Sequence, residues 1–151
     1  MDRNTILSSL ISDYQTYSAS DARSTVEKVL KHSGNSSDIK RRADIAREVV
    51  LFRFLTGDPI VEVGQIKPIE LNQDLEALVY VEQGESHSIK EARYNRLLDL
   101  ADQLIDWSTQ VSGSDINTDV LALSLESVGT TQEQNGLLFT TLRFQTILKI
   151  Q

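Results

Sequence analysis

The sequence predicts an α+β fold: a mostly antiparallel β-sheet with helices packed on one face, in a single domain. Three stretches carry that expectation. From Ser88 to about Thr109, the apolar residues Ile89, Leu97, Leu98, Ala101, Leu104 and Ile105 recur at three- and four-residue steps, which lines them along one helix face. Immediately before, Leu75-Glu76-Ala77-Leu78-Val79-Tyr80-Val81 is too short and too rich in strand formers to be a helix of its own. After the helix, residues 120–128 and 138–150 alternate with the period of two that a strand imposes.

The other elements follow in chain order. Residues 3–17 form a first helix, because Ile6, Leu7, Leu10, Ile11 and Tyr14 make one apolar stripe among Asp2, Asn4, Ser8, Ser9 and Asp13. Ser18-Ala19-Ser20-Asp21 breaks that pattern. Ser20 or Asp21 is a natural N-cap for a second helix that carries Val26, Val29 and Leu30 and stops at Gly34. After the loop 35–37, a third helix starts at Asp38, with Ile39, Ala43 and Ala46 on one side. Residues 49–55 then read as a strand, with helix as the alternative, ended by Thr56-Gly57-Asp58-Pro59. Residues 60–71 read as a strand interrupted at Gly64 and Pro68, since a proline has no N–H for a ladder and favours an edge or a bulge. Asn72-Gln73-Asp74 turns or bends the chain.

In the strand 75–81, Leu75, Ala77, Val79 and Val81 share one face. Leu78 and Tyr80 put apolar bulk on the other, which implies that both faces are covered. Ser88 with Glu91 forms a capping box for the long helix. If the strands flanking that helix are parallel, a right-handed crossover is expected. In the last strand Leu138, Leu142, Phe144, Leu148 and Ile150 share a face with Thr140 and Thr146. The polar segment 129–136 makes an antiparallel hairpin the simplest pairing of the two final strands.

Composition narrows the function classes. A chain of 151 residues with a 40% hydrophobic share suits one soluble domain with one core. No apolar run reaches the roughly 20 residues of a transmembrane helix. Met1-Asp2-Arg3-Asn4 lacks the basic start of a signal peptide. The absence of cysteine excludes disulfides and thiolate metal sites and agrees with a reducing cytosol. A net charge of -7 argues against broad binding to nucleic-acid phosphates.

Motifs for chemistry are sparse. There is no nucleophile elbow and no phosphate loop, so no catalytic residue, cofactor or metal ligand is assigned. His87 lies near Glu82 and Glu85, and the expected reading is a solvated loop. Asp115-x-Asn117-x-Asp119 with Glu126 eleven residues after Asp115 has the spacing of a calcium loop, but Val120 stands where the sharp turn requires glycine. A polar turn is the simpler reading. Lys40-Arg41-Arg42 with Arg47 is the densest basic cluster and reads as a helix face balanced by Asp38, Asp44 and Glu48. Asp99, Asp102 and Asp106 are neighbours on the polar side of the long helix and mark a solvated or interface face. Trp107, the sole tryptophan, is either a core residue or a subunit contact.

The opening helix at residues 4–14, the strand 75–81, the helix Leu97-Leu98-Asp99-Leu100-Ala101-Asp102-Gln103-Leu104 and the closing strands 120–128 and 138–150 resemble the tail terminator and tail-completion proteins of long-tailed, siphophage-like bacteriophages. The resemblance covers residues 1–17 and 60–150 and rests on element order and pattern. It implies one domain over residues 1–151, helical to about residue 48 and then built of a sheet plus the long helix. It implies a structural virion protein without enzymatic activity, assembled in the host cytoplasm. Such a protein forms a ring, usually a hexamer, that ends tail-tube polymerisation and joins the head connector in the neck. Its implied partners are further copies of itself, the tail tube protein, the head connector or completion protein, and DNA that passes the lumen without specific binding. No membrane is implied. Thr130, Thr131, Gln132, Glu133, Gln134 and Asn135 are then candidate subunit or tube contacts, with Trp107 as a further candidate. A head–tail joining protein and a protein-binding adaptor unrelated to phage are the alternatives.

Overall fold

The computed structural model describes residues 2–23, 26–32, 47–60, 70–111 and 117–149. In chain order the elements are α1 (Arg3–Ser20), β1 (Lys28–Lys31), β2 (Glu48–Ile60), β3 (Glu70–Glu82), α2 (His87–Gln110), β4 (Val120–Val128), β5 (Gln132–Gln134) and β6 (Leu137–Lys149). Among the described residues the strands form one six-stranded sheet in the order β1-β2-β3-β6-β4, with β5 also on β6. All pairs are antiparallel except β1 with β2. Because β3 and β4 both run against β6, they are parallel to each other, and α2 is the crossover between them. The fold is α+β, with helices against one face of a mostly antiparallel sheet.

The packing follows from the side-chain periods. Asp2 caps α1: its Oδ1 accepts from the Asn4 N–H at 3.0 Å, and its Oδ2 accepts from the Thr5 hydroxyl at 2.7 Å. The stripe Ile6, Leu7, Leu10, Ile11 and Tyr14 is buried. Leu97, Leu100, Ala101, Leu104 and Trp107 of α2 join it in one core with Val50 and Phe52, with Leu75, Ala77, Val79 and Val81, and with Leu142, Phe144 and Leu148. Trp107 sits at the centre, edge-to-face with Tyr14 at 5.4 Å, Phe52 at 5.8 Å and Phe144 at 6.2 Å. Its indole N–H donates to Asp13 Oδ2 at 2.8 Å. Two hydroxyls inside share one acceptor: those of Tyr14 and Ser18 both donate to Gln103 Oε1, at 2.8 and 2.9 Å. Burial pushes the Tyr14 phenol well above its usual range.

Several boundaries differ from the sequence reading. Val29 and Leu30 lie in a strand, not a second helix. Asp21 does not cap a new helix; it ends α1 and accepts from Arg23. The expected Gly34 stop, the third helix from Asp38, and Gly64 and Pro68 lie outside the described residues. Residues 49–55 are strand, but Thr56-Gly57-Asp58-Pro59 does not end it. The ladder slips between Phe54 and Gly57 and runs on to Ile60. Asn72-Gln73-Asp74 is continuous strand, paired to β6 throughout and to β2 at Asn72 and Gln73. Gln73 explains both departures. Its buried amide donates to Leu55 O at 2.7 Å and Thr56 O at 3.2 Å, which pairs carbonyls released by the slip. A Cβ on Gly57 would stand 2.7 Å from Gln73 Oε1, so a side chain there would displace the Gln73 amide that pairs the bulge. The cap of α2 is Ser86, not Ser88: its Oγ accepts from the Ile89 N–H at 3.3 Å.

Candidate assembly surface

The last three strands are one hairpin. β4 and β5 lie end to end along β6, joined by Gly129, whose N–H donates to Thr141 O at 2.7 Å and whose carbonyl accepts from the Thr140 hydroxyl at 2.9 Å. The register slips between Val120 and Ala122 and again between Leu125 and Ser127. Each bulge bends and twists the strand. The hairpin closes at Asn135 and Gly136, with φ of 54° and 78°, the left-handed pair that a two-residue type I′ turn needs. The Gln83 N–H donates to Gly136 O at 2.9 Å and ties the tip to the end of β3. Thr130, Thr131, Gln132, Glu133, Gln134 and Asn135 therefore belong largely to a paired tip, and all are exposed. Trp107 is 1% exposed and offers no surface to a neighbour; its candidacy as a subunit contact is corrected to a core role.

Apolar residues that the sequence reading did not place at a surface sit on or beside this hairpin. Leu121 and Val128 on β4 are 46% and 48% exposed, and Tyr94 and Leu98 on α2 are 43% and 41% exposed. Ile89 is exposed as well, so Ile89 and Leu98 do not join the buried stripe of α2. Glu91, Tyr94, Leu98, Asp102 and Ile105 follow three- and four-residue steps and share one side of α2. That side flanks β5: Glu91 and Tyr94 line a groove with Thr131, Gln132 and Glu133. The flank is thus apolar and acidic, with exposed Glu91, Asp102, Glu126 and Glu133 around the four large side chains and with His87 and Lys90 at one end. Alternation marked β4 as a strand, but only the strand order shows it to be an outer one.

Among the described residues the opposite edge is β1, Lys28-Val29-Leu30-Lys31, with both lysines exposed. The outward Val29 carbonyl accepts from Gln15 Nε2 at 3.4 Å, and Lys31 Nζ donates to Asn4 O at 3.4 Å. Its anchor is Glu48, which accepts from Arg96 Nε at 2.8 Å, from Arg96 Nη2 at 2.7 Å and from the Glu27 N–H at 3.0 Å. Burial alone pushes the Glu48 carboxyl up, but the Arg96 hydrogen bonds and charge outweigh it and hold it below its usual value. Arg96 also donates to Arg23 O at 2.8 Å, and Arg23 pairs with Asp21 and Asp106, each at 2.7 Å. Hydrogen bonds from Arg23 lower the Asp21 carboxyl to about 2.

On the sheet face away from the helices, Val49, Leu51, Leu78 and Tyr80 form a smaller apolar cluster with Leu30, Leu137 and Phe139. A recess of about 350 Å³ lies between this cluster, His32 and the Arg53–Glu76 pair, under Gln134 and Asn135. Arg53 Nε donates to Glu76 Oε1 at 2.8 Å and Arg143 stands 3.9 Å from Glu76 Oε2, a charge ladder across three strands.

The other motifs resolve locally. Asn117 Oδ1 accepts from the Asp119 N–H at 2.9 Å, a local polar turn; Glu126 lies exposed on β4, and Asp115 is outside the described residues. His87 opens α2 while Glu82 ends β3, and among the described residues no three His, Asp or Glu gather as a metal site. Lys40-Arg41-Arg42 lies outside the described residues. Asp99 and Asp102 are exposed, whereas Asp106 is taken up by Arg23. The sequence matches no protein-family model and no curated protein, so the flank formed by α2 and β4–β5 is characterised by its own chemistry alone.

Proposed function

We propose that this protein is a structural virion component, a ring-forming tail terminator that caps the tail tube, ends its polymerisation and forms the head–tail junction. One observation supports this reading above the rest: the two lateral edges of the sheet are unlike. One carries two lysines, and the other is acidic and studded with exposed leucine, valine and tyrosine. A cyclic ring needs a heterologous contact between two different surfaces, whereas a two-fold dimer needs one surface that matches itself. Exposed apolar residues gathered on one flank mark an interaction site. Among the described residues no helix is long and apolar enough to cross a membrane. The test is tube growth. Purified protein added to polymerising tail-tube subunits shortens and ends the tubes under this reading. Tubes of unchanged length would sink it.

A second reading has its own support. The long β4 edge can accept an added strand from any extended partner, which suits a protein-binding adaptor. Capture of an unrelated extended peptide on β4, with no effect on tubes, would favour the adaptor. A head–tail joining protein is the variant within the virion class; it would bind the connector without stopping the tube.

A further inference from the structure

We infer that the β4–β5 flank of one copy docks on the β1 edge of the next copy, with Glu126 and Glu133 toward Lys28 and Lys31. The inference rests on the ring reading and names the contact that closes it. Charge decides the pairing. The β4–β5 flank presents Glu91, Asp102, Glu126 and Glu133, with Lys90 at one end, so a second β4–β5 flank would meet it largely acid to acid. Like charges brought together in an interface oppose association. The β1 edge is the other end of the same sheet and has an exposed lysine at each end.

Two further features suit that partner. β1 runs against β3 and β4 runs along it, so copies set side by side in one orientation bring β4 and β1 together antiparallel. Lysine is also matched to a surface that is apolar and acidic at once. Its methylene stem covers apolar area, here Leu121 and Val128, while the ammonium reaches a carboxylate. Glu27, beside β1, is exposed but engaged with its own chain, where Oε2 accepts from the Arg47 N–H at 3.1 Å.

The experiment reverses each edge separately. One variant carries Glu126→Lys with Glu133→Lys, and the other carries Lys28→Glu with Lys31→Glu. Mass in solution is read by light scattering at low salt over a range of concentrations, with circular dichroism to verify folding. The wild type forms a closed oligomer, and each variant alone associates more weakly by about tenfold or more. An equimolar mixture of the two variants regains the wild-type mass, because each reversed edge now meets its opposite. The inference is overturned if a reversed variant keeps the wild-type mass, if the mixture of folded variants does not recover, or if the wild type is monomeric throughout. Tube capping separates the two failures. Normal capping by variants that ignore the reversals removes this contact and leaves the ring. A wild type that does not cap removes the ring reading itself.

Discussion

The two edges of the sheet end differently. β1 is four residues long, flanked by lysines, touched by Gln15 of α1 and anchored through Glu48 to Arg96. β4 is nine residues long, carries Glu126 as its one charged residue and exposes Leu121 and Val128. Short length, edge lysines and a covering helix are the usual protections of an outer strand; bulges are another. β1 has the first three, and β4 has only bulges near its two ends. β1 is thus guarded against indiscriminate strand addition while its two lysines stay exposed to a charge-matched partner, and β4 is left apolar and open.

That contrast can be broken from the β1 side with large effects and probed from the β4 side with small ones. Arg96→Ala leaves the Glu48 carboxylate buried without its bidentate partner and should cost about 3–5 kcal/mol, read by urea unfolding. The same pair sets an acid response. The Glu48 carboxyl titrates lower in the fold than in the unfolded chain. Its contribution is therefore complete above the unfolded value of about 4.3 and is lost as pH falls through the lowered one. Asp21, held at about 2, follows the same sign. An Arg96→Ala variant should accordingly lose less stability than the wild type between neutral pH and pH 3, and equal losses would remove Glu48 from the account.

Gly57→Ala comes next. It drives a Cβ against Gln73 Oε1 and should destabilise by about 1–3 kcal/mol. Gly136→Ala meets no atom within 4 Å, so its cost is only that of a left-handed alanine, roughly 1–2 kcal/mol. A larger loss at Gly136 would show that the tip is packed more tightly than its exposure indicates. Leu121→Ser and Val128→Ser should each shift unfolding by no more than about 0.5 kcal/mol yet weaken self-association in light scattering. If both serine variants unfold much more easily than the wild type, β4 is a core strand and the contrast between the edges fails.

Legibility tracked the range of the forces involved. The stripe of α1, the buried face of β6 and the two-sided strand 75–81 were readable because burial on one side imposes its period on local sequence. The segment around Val29 was misread because it has too few residues for a period to show and its strand state depends on β2, some twenty positions away. Asn72-Gln73-Asp74 reads locally as a turn or bend, yet it is held in the sheet by β6 on one side and by β2 at Asn72 and Gln73 on the other, with the Gln73 amide occupied by carbonyls of β2. The candidate tip at Thr130–Asn135 was found from polarity. Tyr94, Leu98, Leu121 and Val128 were not, since an exposed apolar residue looks like a buried one until its neighbours are known.

The sequence by itself determined the fold class, the long helix, the closing hairpin and the sheet faces that are buried, because each of these is written in side-chain spacing over a few turns or strand repeats. The tertiary structure alone decided which strands are outermost, that Trp107 lies at the centre and that acid and apolar groups gather on one flank while lysines lie on the other. Those features depend on strand order, and strand order is set by contacts between residues too far apart in the chain for any local pattern to record.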